Sequence, residues 1–276
     1  MDRPKYLKWI IKENGIIENS SIPLKCYKID YNNDSDILDN WALHIRRHYI
    51  SDNELQDDCT CLGITPEKYL KNYIIPKKDE PLGSTARSNT ITEILISDLL
   101  EFIFGYNVPR IKQRNMSGTT VSEHGTDVIG YFFENRDKTP SNKDKLVAAE
   151  VKAVLSKTDT SVIKNAVVDS RKDEFRISLT LNYLRKKLKK YGMLKESKDI
   201  ERFQHKTDYD YSIIYIPAGI TSLDNLESIS INGNEVQIIP NVNGRDIAVR
   251  KGQCIFFLHG KTLMKLTHEV YERCTK

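Results

Sequence analysis

The chain has 276 residues, of which 39% are hydrophobic and 29% charged, a composition that argues against disorder. No apolar run approaches the roughly 20 residues of a membrane span and the N-terminus lacks a signal-peptide pattern, so we expect a cytoplasmic protein without a membrane partner. The 42 Lys and Arg barely exceed the 38 Asp and Glu, which allows a nucleic-acid partner without requiring one.

Residues 1–80 are predicted to form an N-terminal α+β region ahead of a larger domain at 81–276. "PLKCYKIDY" predicts a strand, "DNWALHIRRHYI" a helix, and Thr65-Pro66-Glu67 the start of a short helix with proline in its first turn. Residues 75–84, with two prolines and a charge run, predict a connector. The role of residues 1–80 stays open between a partner-binding surface and completion of the fold.

The larger domain begins with a long amphipathic helix. Apolar residues recur at helical spacing in "SNTITEILISDLLEFIFGYN", and Gly105 is a suitable C-terminal stop. The segments that follow predict two strands, a polar loop and a buried strand, in the order "VPRIKQRN", "TTVSEHGTDVIGYFFEN", "RDKTPSNKDK" and "LVAAEVKAVL".

The C-terminal half continues the alternation of helix and strand. Residues 161–192 predict one or two helices, and "DYDYSIIYIP" predicts a strand that ends at Pro217. Two further strands and a closing helix are predicted in "VQIIPNV", "QCIFFLHG" and "GKTLMKLTHEVYERC". This order of elements is typical of an α/β fold with a mixed central sheet flanked by helices.

Charged residues interrupt two of the apolar strands, at Asp127 in "HGTDVIGY" and at Glu150 and Lys152 in "AAEVKA". Glu150 and Lys152 lie on one face, because successive side chains of a strand alternate, and burying them unpaired is costly. If the two strands are hairpin neighbours, Asp127 stands opposite Glu150 and the two carboxylates repel. A divalent cation such as Mg²⁺ removes this conflict and keeps positions for water and a phosphate oxygen.

These stretches resemble the D-(x)n-E-x-K core of the PD-(D/E)XK nuclease superfamily, with Gly-Thr-Asp at residues 125–127 in place of Pro-Asp. Together with "SNTITEILISDLLEFIFGY" and "KNAVVDSRKDEFRISLTLNYLRKKL", they are similar to the HamA family, the nuclease subunit of the Hachiman antiphage system. The resemblance covers residues 84–220, about half the chain. It implies a restriction-endonuclease-like core, DNA degradation on phage infection and a superfamily 2 helicase partner.

The resemblance also implies a role for each residue of the core. Asp127, Glu150 and the Val151 carbonyl would hold Mg²⁺ or Mn²⁺, and Lys152 would position the attacking water. Glu93, in the helix before the core strands, would support the metal or its waters.

Each of these residues also has a structural interpretation. Thr90-x-x-Glu93 fits a capping box, unless the helix begins near Arg87, and Glu93 could instead be simply exposed. Glu150 and Lys152 could lie on a solvated edge strand or form a buried ion pair. Asp127 could be an Asx-turn residue beside a glycine.

The strongest positive charge follows the core strands. Residues 164–195 hold ten Lys and Arg against three Asp and Glu, which suits contact with a phosphate backbone. Lys164, Arg171 and Lys172 are the favoured DNA contacts because they follow the core strand most closely, although a charge run is usually only a solvated helix face. His124 is interpreted as a hydrogen-bonding neighbour of the site rather than a ligand, and Glu123 is a weaker candidate.

Two further site classes are not supported by the sequence. The five cysteines are odd in number and scattered, and the Cys59-x-Cys61 pair lacks the second half of a zinc site. No P-loop motif occurs, so ATP hydrolysis, if the system uses it, must come from another protein. Besides a metal-dependent nuclease, two alternatives remain: a non-catalytic DNA-binding adaptor that loads a helicase, and a site-specific restriction endonuclease.

Overall fold

One six-stranded mixed sheet forms the centre of the computed structural model. The structure describes residues 2–13, 24–114, 116, 118–120, 125–225, 241–242, 245–246 and 253–275. The strands are β1 (Ile10–Glu13), β2 (Leu24–Ile29), β3 (Val128–Phe132), β4 (Lys145–Val154), β5 (Ser212–Ser222), β6 (Asn241–Val242), β7 (Arg245–Asp246) and β8 (Ile255–Gly260). The sheet order is β1-β2-β8-β5-β4-β3, and β6 pairs separately with β7. The predicted α/β fold with a mixed sheet is confirmed.

Helices cover both faces of this sheet. They are α1 (Ser35–Tyr49), α2 (Asp52–Leu62), α3 (Pro66–Tyr69), α4 (Gly83–Asp98), α5 (Ser161–Ser170), α6 (Asp173–Lys190), α7 (Leu194–Arg202) and α8 (Leu263–Arg273). Apolar side chains of α1, α4 and α8 form the core on one face, and those of α5, α6 and α7 pack on the other. None of the described helices is both long and apolar enough to cross a membrane.

Strand β4 is buried on both faces. It runs parallel to β5 and antiparallel to β3, and residues 146–149 are each 0% exposed. Val147 and Ala149 pack in the core on the α4 side, whereas Leu146 and Ala148 pack against α6. The same alternation directs Glu150 and Lys152 toward α5 and α6.

The N-terminal region joins the same sheet and core. Strand β2 pairs in parallel with β8, and the core on the α4 side extends from Tyr6 to Cys274. Buried Asp98 on α4 connects the N-terminal region to the larger domain. It accepts a hydrogen bond from the Tyr6 hydroxyl at 2.6 Å and lies 2.8 Å from the Arg110 guanidinium. Residues on both sides of position 80 therefore share one sheet, and a partner-binding role for residues 1–80 stays a prediction.

Two predicted strands differ from the structure. "VPRIKQRN" is wrong as a strand, because residues 108–111 are not in a strand and residues 112–114 form a turn. An isolated bridge from Asn107, just before this segment, pairs with Tyr131. Strand β5 does not end at Pro217 but continues to Ser222. The Tyr215 carbonyl accepts a hydrogen bond from the Cys254 N–H, next to β8, and the backbone of Pro217 points to the same side because it is two residues further along β5. The N–H that Pro217 lacks therefore falls just before the pairing with β8, which begins at Ala218. Most of "VQIIPNV" lies outside the described residues.

The close packing of α5 on β5 gives a test of the fold. A Cβ at Gly219 would lie 2.8 Å from Ile163 Cγ1 and 3.1 Å from its backbone nitrogen, so Gly219→Ala should lower the free energy of unfolding by about 1–3 kcal/mol. Gly130→Ala is the matched control, because its nearest new contact is 3.5 Å. Equal urea-unfolding curves for the two variants would contradict this packing.

Candidate active site on the central strands

Asp127 lies directly before β3, where its side chain extends the pairing of β3 with β4. The regular ladder begins at Val128 opposite Ala149, and Asp127 Oδ2 accepts the Val151 N–H at 2.9 Å. The N–H and C=O of one strand residue point to the same side, so the Val151 carbonyl also faces Asp127. The predicted hairpin neighbourhood of Asp127 and Glu150 is confirmed.

A lysine that the sequence analysis did not single out joins Asp127 to Glu93. Lys112 Nζ lies 3.0 Å from Glu93 Oε1 and 3.1 Å from Asp127 Oδ1. Burial lowers the pKa of Lys112, but the two carboxylates outweigh it and raise the pKa above its usual value. Lys112 is therefore a fixed positive charge between two acids. Lys112 was missed because "VPRIKQRN" was predicted to be a strand. In the structure, residues 112–114 form a turn, which directs the Lys112 side chain inward.

Glu93 is a buried residue in the middle of α4. The helix begins at Gly83 and Glu93 is 8% exposed, so the capping and solvent-exposed interpretations are both wrong. Gln113 Nε2 donates to Glu93 Oε2 at 3.1 Å, and a cleft of about 220 Å³ borders both residues. Burial and the charge of Asp127 raise the pKa of Glu93 and Lys112 lowers it, and the net result is a pKa of about 7.

Glu150 and Lys152 form a buried charge pair on the opposite face. Lys152 Nζ lies 2.9 Å from Glu150 Oε1 and 2.8 Å from Asp169 Oδ2 on α5. Glu150 is 5% exposed, so the solvated-edge interpretation is wrong for this side chain. Burial and the nearby Asp127 raise the pKa of Glu150. Burial lowers the pKa of Lys152, but its bonds with Asp169 and Glu150 outweigh burial and raise it.

A further acid, Asp173, enters from the start of α6 and was not predicted. It is 0% exposed, and its Oδ1 accepts from Thr126 Oγ1 at 2.9 Å and from Arg176 at 3.0 Å. Arg176 also reaches Glu150 Oε2 at 3.3 Å. Within the described part of the chain, Asp173 Oδ2 has no hydrogen-bond partner. An acidic residue in the first turn of a helix is common because it stabilises the helix N-terminus, so nothing in the sequence indicated that Asp173 belongs to the site.

The donors of this cluster fit a hard divalent cation. They are carboxylate oxygens and a backbone carbonyl, the ligands that Mg²⁺ prefers. Raised pKa values of Glu93 and Glu150 indicate that burial and Asp127 make their charges costly, and a cation near Asp127 would lower that cost. In the described part of the chain, the buried Asp173 Oδ2 also lacks a hydrogen-bond partner that would offset its burial.

The predicted DNA contacts lie on α5 and at the turn that follows it. Lys172 is exposed, and its Nζ lies 2.5 Å from the same Asp169 that holds Lys152. Arg171 follows α5 directly, and Lys164 is half-buried on that helix. The basic residues near the end of α6 differ in exposure. Lys187 is buried and donates a hydrogen bond to the Lys112 carbonyl at 3.0 Å, whereas Lys186, Lys189 and Lys190 are exposed. Glu123 and His124 lie outside the described residues.

A known protein family matches nearly the whole chain. The sequence model of the HamA family matches residues 4–274. The chain belongs to the HamA family. The match includes residues 1–80 and 225–274, beyond the motifs that first indicated the resemblance. No curated protein matches the chain. Membership assigns this HamA protein to antiphage defence of the Hachiman type.

The buried position of Glu93 predicts a pH effect on stability without metal. Its folded-state pKa of about 7 exceeds the usual 4.5, so its favourable contribution is complete below about pH 4.5 and is lost as pH rises through 7. Between about pH 5 and pH 8, the wild type should lose up to about 3 kcal/mol relative to Glu93→Gln.

Urea unfolding in EDTA at the two pH values measures this difference. Glu67→Gln, at an exposed position on α3, is the control and should follow the wild type. If the difference in free energy of unfolding between the wild type and Glu93→Gln does not change with pH, burial does not raise the pKa of Glu93.

Proposed function

We propose that this HamA protein is a metal-dependent DNA nuclease, the effector of a defence system, built on a restriction-endonuclease-like core. The observation that carries the proposal is the bond from the Val151 N–H to Asp127 Oδ2. This hydrogen bond holds Asp127, directly before β3, beside Glu150 on β4, and Lys152 lies two residues further along the same face of β4. Two carboxylates and a lysine in this order supply what phosphodiester hydrolysis requires.

The metal would be held by Asp127, Glu150 and the carbonyl of Val151. Mg²⁺ suits these oxygen donors, and Mn²⁺ can replace it. When bound, the ion polarises the phosphoryl group and lowers the pKa of an attacking water. Glu93 acts through Lys112, which spaces its carboxylate from that of Asp127.

Lys152 acts as a positively charged ammonium group and not as a general base. Its bonds with Asp169 and Glu150 raise its pKa, so the amine keeps its proton at neutral pH. An ammonium can orient the attacking water through hydrogen bonds and neutralise charge on the phosphate in the transition state. Asp169 positions Lys152, and Arg176 holds the second oxygen of Glu150.

DNA would approach across the turn between α5 and α6. Lys164, Arg171 and Lys172 supply the positive charge there, and Asp169 links Lys172 to the catalytic Lys152. The chain has no P-loop, so ATP-driven activation would come from a superfamily 2 helicase partner that restrains or releases the nuclease.

A non-catalytic adaptor is the second candidate, and one observation favours it. Each core carboxylate already faces a cation of the protein: Lys112 at Asp127, and Lys152 with Arg176 at Glu150. A network of this kind can stabilise the fold without any metal. The adaptor would bind DNA equally well with and without Mg²⁺.

Cleavage of supercoiled plasmid in Mg²⁺ or Mn²⁺ tests the proposed chemistry. Asp127→Asn removes a metal-binding charge and Lys152→Met removes the ammonium, so each should lower the cleavage rate roughly 10²–10³-fold. EDTA should abolish cleavage. Asp57→Asn, at an exposed position on α2, is the matched control and should cut like the wild type.

The assay is run with the helicase and ATP as well as with the chain alone, because a restrained effector requires its partner. Cleavage by Asp127→Asn at the wild-type rate would exclude this site. No cleavage under either condition, with DNA binding unaffected by Asp127→Asn, would favour the adaptor. Discrete fragments in place of a smear would indicate a site-specific endonuclease.

The basic surface is tested by the salt dependence of DNA binding. Replacing Lys164, Arg171 and Lys172 together with alanine should weaken binding and reduce the slope of log K against log salt by up to about 3, because each phosphate contact contributes about 0.9. The charge-matched control replaces three exposed lysines elsewhere, Lys68, Lys71 and Lys265. An equal loss in both triple variants would show that the effect is one of net charge.

A further inference from the structure

Three potential metal ligands meet at the other edge of the sheet. Glu13 ends β1, Cys26 lies on β2 and His259 lies on β8. Their ligand atoms all lie within 4.8 Å of one another. In the sheet order, these strands lie on the opposite side of β5 from β4 and β3, which carry Asp127 and Glu150.

The register of the strands explains why the three side chains converge. Glu13 pairs with Cys26, and Cys26 pairs with Phe257, two residues before His259. Because side chains alternate along a strand, Phe257 and His259 project to the same face as Cys26. On that face, Cys26 and Phe257 pack with residues of α5. The three residues are far apart in sequence, so no short motif announces them.

The hydrogen bonds of His259 leave its metal-binding nitrogen directed at the cluster. Nδ1 lies 2.9 Å from the Leu223 carbonyl, which can only accept, so Nδ1 carries a proton. Nε2 lies 2.7 Å from Glu13 Oε2, which is also an acceptor when ionised. A histidine that donates one N–H to a backbone carbonyl and offers its other nitrogen is the usual arrangement of a metal ligand.

We infer that Glu13, Cys26 and His259 form a binding site for a zinc-class transition metal ion. One sulfur, one imidazole nitrogen and one carboxylate oxygen suit Zn²⁺, and three protein ligands leave a fourth position for water. The hard oxygen donors around Asp127 suit Mg²⁺ instead. The inference does not depend on the proposed nuclease function.

The distances require only a small adjustment. Bonds of about 2.0–2.3 Å in a tetrahedral site place ligand atoms about 3.3–3.8 Å apart. Cys26 Sγ and Glu13 Oε2 are 3.6 Å apart, within this range. The shorter contact between Glu13 and His259 must widen. The Glu13 side chain can move, because it is 26% exposed at the end of an edge strand, whereas His259 is 0% exposed.

Metal binding at this site must displace protons. Burial and, after it, the carboxylate of Glu13 together raise the pKa of the Cys26 thiol to about 12. A bound divalent ion reverses this effect, because thiolate and neutral imidazole are the coordinating forms. The thiol proton of Cys26 is released to solvent when the ion binds.

The ion would fasten the edge of the sheet. Strand β1 is four residues long and pairs only with β2 among the described strands. A metal bonded to β1, β2 and β8 together would connect this short edge strand to the parallel centre of the sheet. Metal binding at this site would therefore add to the stability of the fold.

Zinc titration of the chelator-treated full-length protein tests the inference. The wild type should bind one equivalent of Zn²⁺ in competition with a chromophoric chelator, and its melting temperature should rise. With Co²⁺ it should show a thiolate-to-cobalt charge-transfer band. Cys26→Ser and His259→Gln should lose the band and weaken Zn²⁺ binding at least about 10-fold. Cys61→Ser and His268→Gln are the controls and should behave like the wild type.

The circular dichroism spectrum establishes that each variant is folded. If Cys26→Ser or His259→Gln does not fold, Glu13→Gln replaces it, because this partly exposed side chain leaves the core packing intact. Tight one-equivalent Zn²⁺ binding that all three site variants retain would overturn the assignment. Failure of the folded wild type to bind Zn²⁺ in competition with the chelator would overturn it as well.

Discussion

Buried charge at the C-terminal half of β4 is the constraint on which the arrangement of this protein depends. The strand is fully buried from Leu146 to Ala149 and then carries Glu150 and Lys152. Isolated charges at such a position are too costly to keep, so neighbouring elements must supply partners. The end of α5 supplies Asp169 to Lys152, and the first turn of α6 supplies Arg176 to Glu150. Asp127, next to β3, adds a second negative charge beside Glu150 instead of compensating it.

The network crosses the sheet edge and connects both layers of helices. Glu93 belongs to α4 on one face, whereas Glu150 points to α6 on the other. Lys112 and Asp127 join them around the end of β3. A site assembled from both layers can close only when the whole core has packed.

Sequence reasoning succeeded where short-range periodicity determines structure. The apolar run around Glu150 indicated a buried strand, and alternation placed Lys152 on the same face. Asp127 followed from hairpin pairing. Lys112, Asp169 and Asp173 were missed because their roles depend on tertiary contacts between a turn and helix ends, which no local pattern encodes. Glu93 stayed ambiguous until the start of α4 was known, and the cluster of Glu13, Cys26 and His259 exists only through strand order.

The central claim is that Asp127 and Glu150 hold a metal ion for DNA hydrolysis. The most direct measurement is anomalous diffraction from crystals of the protein soaked with Mn²⁺. The account predicts a strong anomalous peak between these two carboxylates and next to the Val151 carbonyl, absent from crystals of Asp127→Asn. Metal-dependent DNA cleavage by a protein whose crystals show no Mn²⁺ at this position would contradict it.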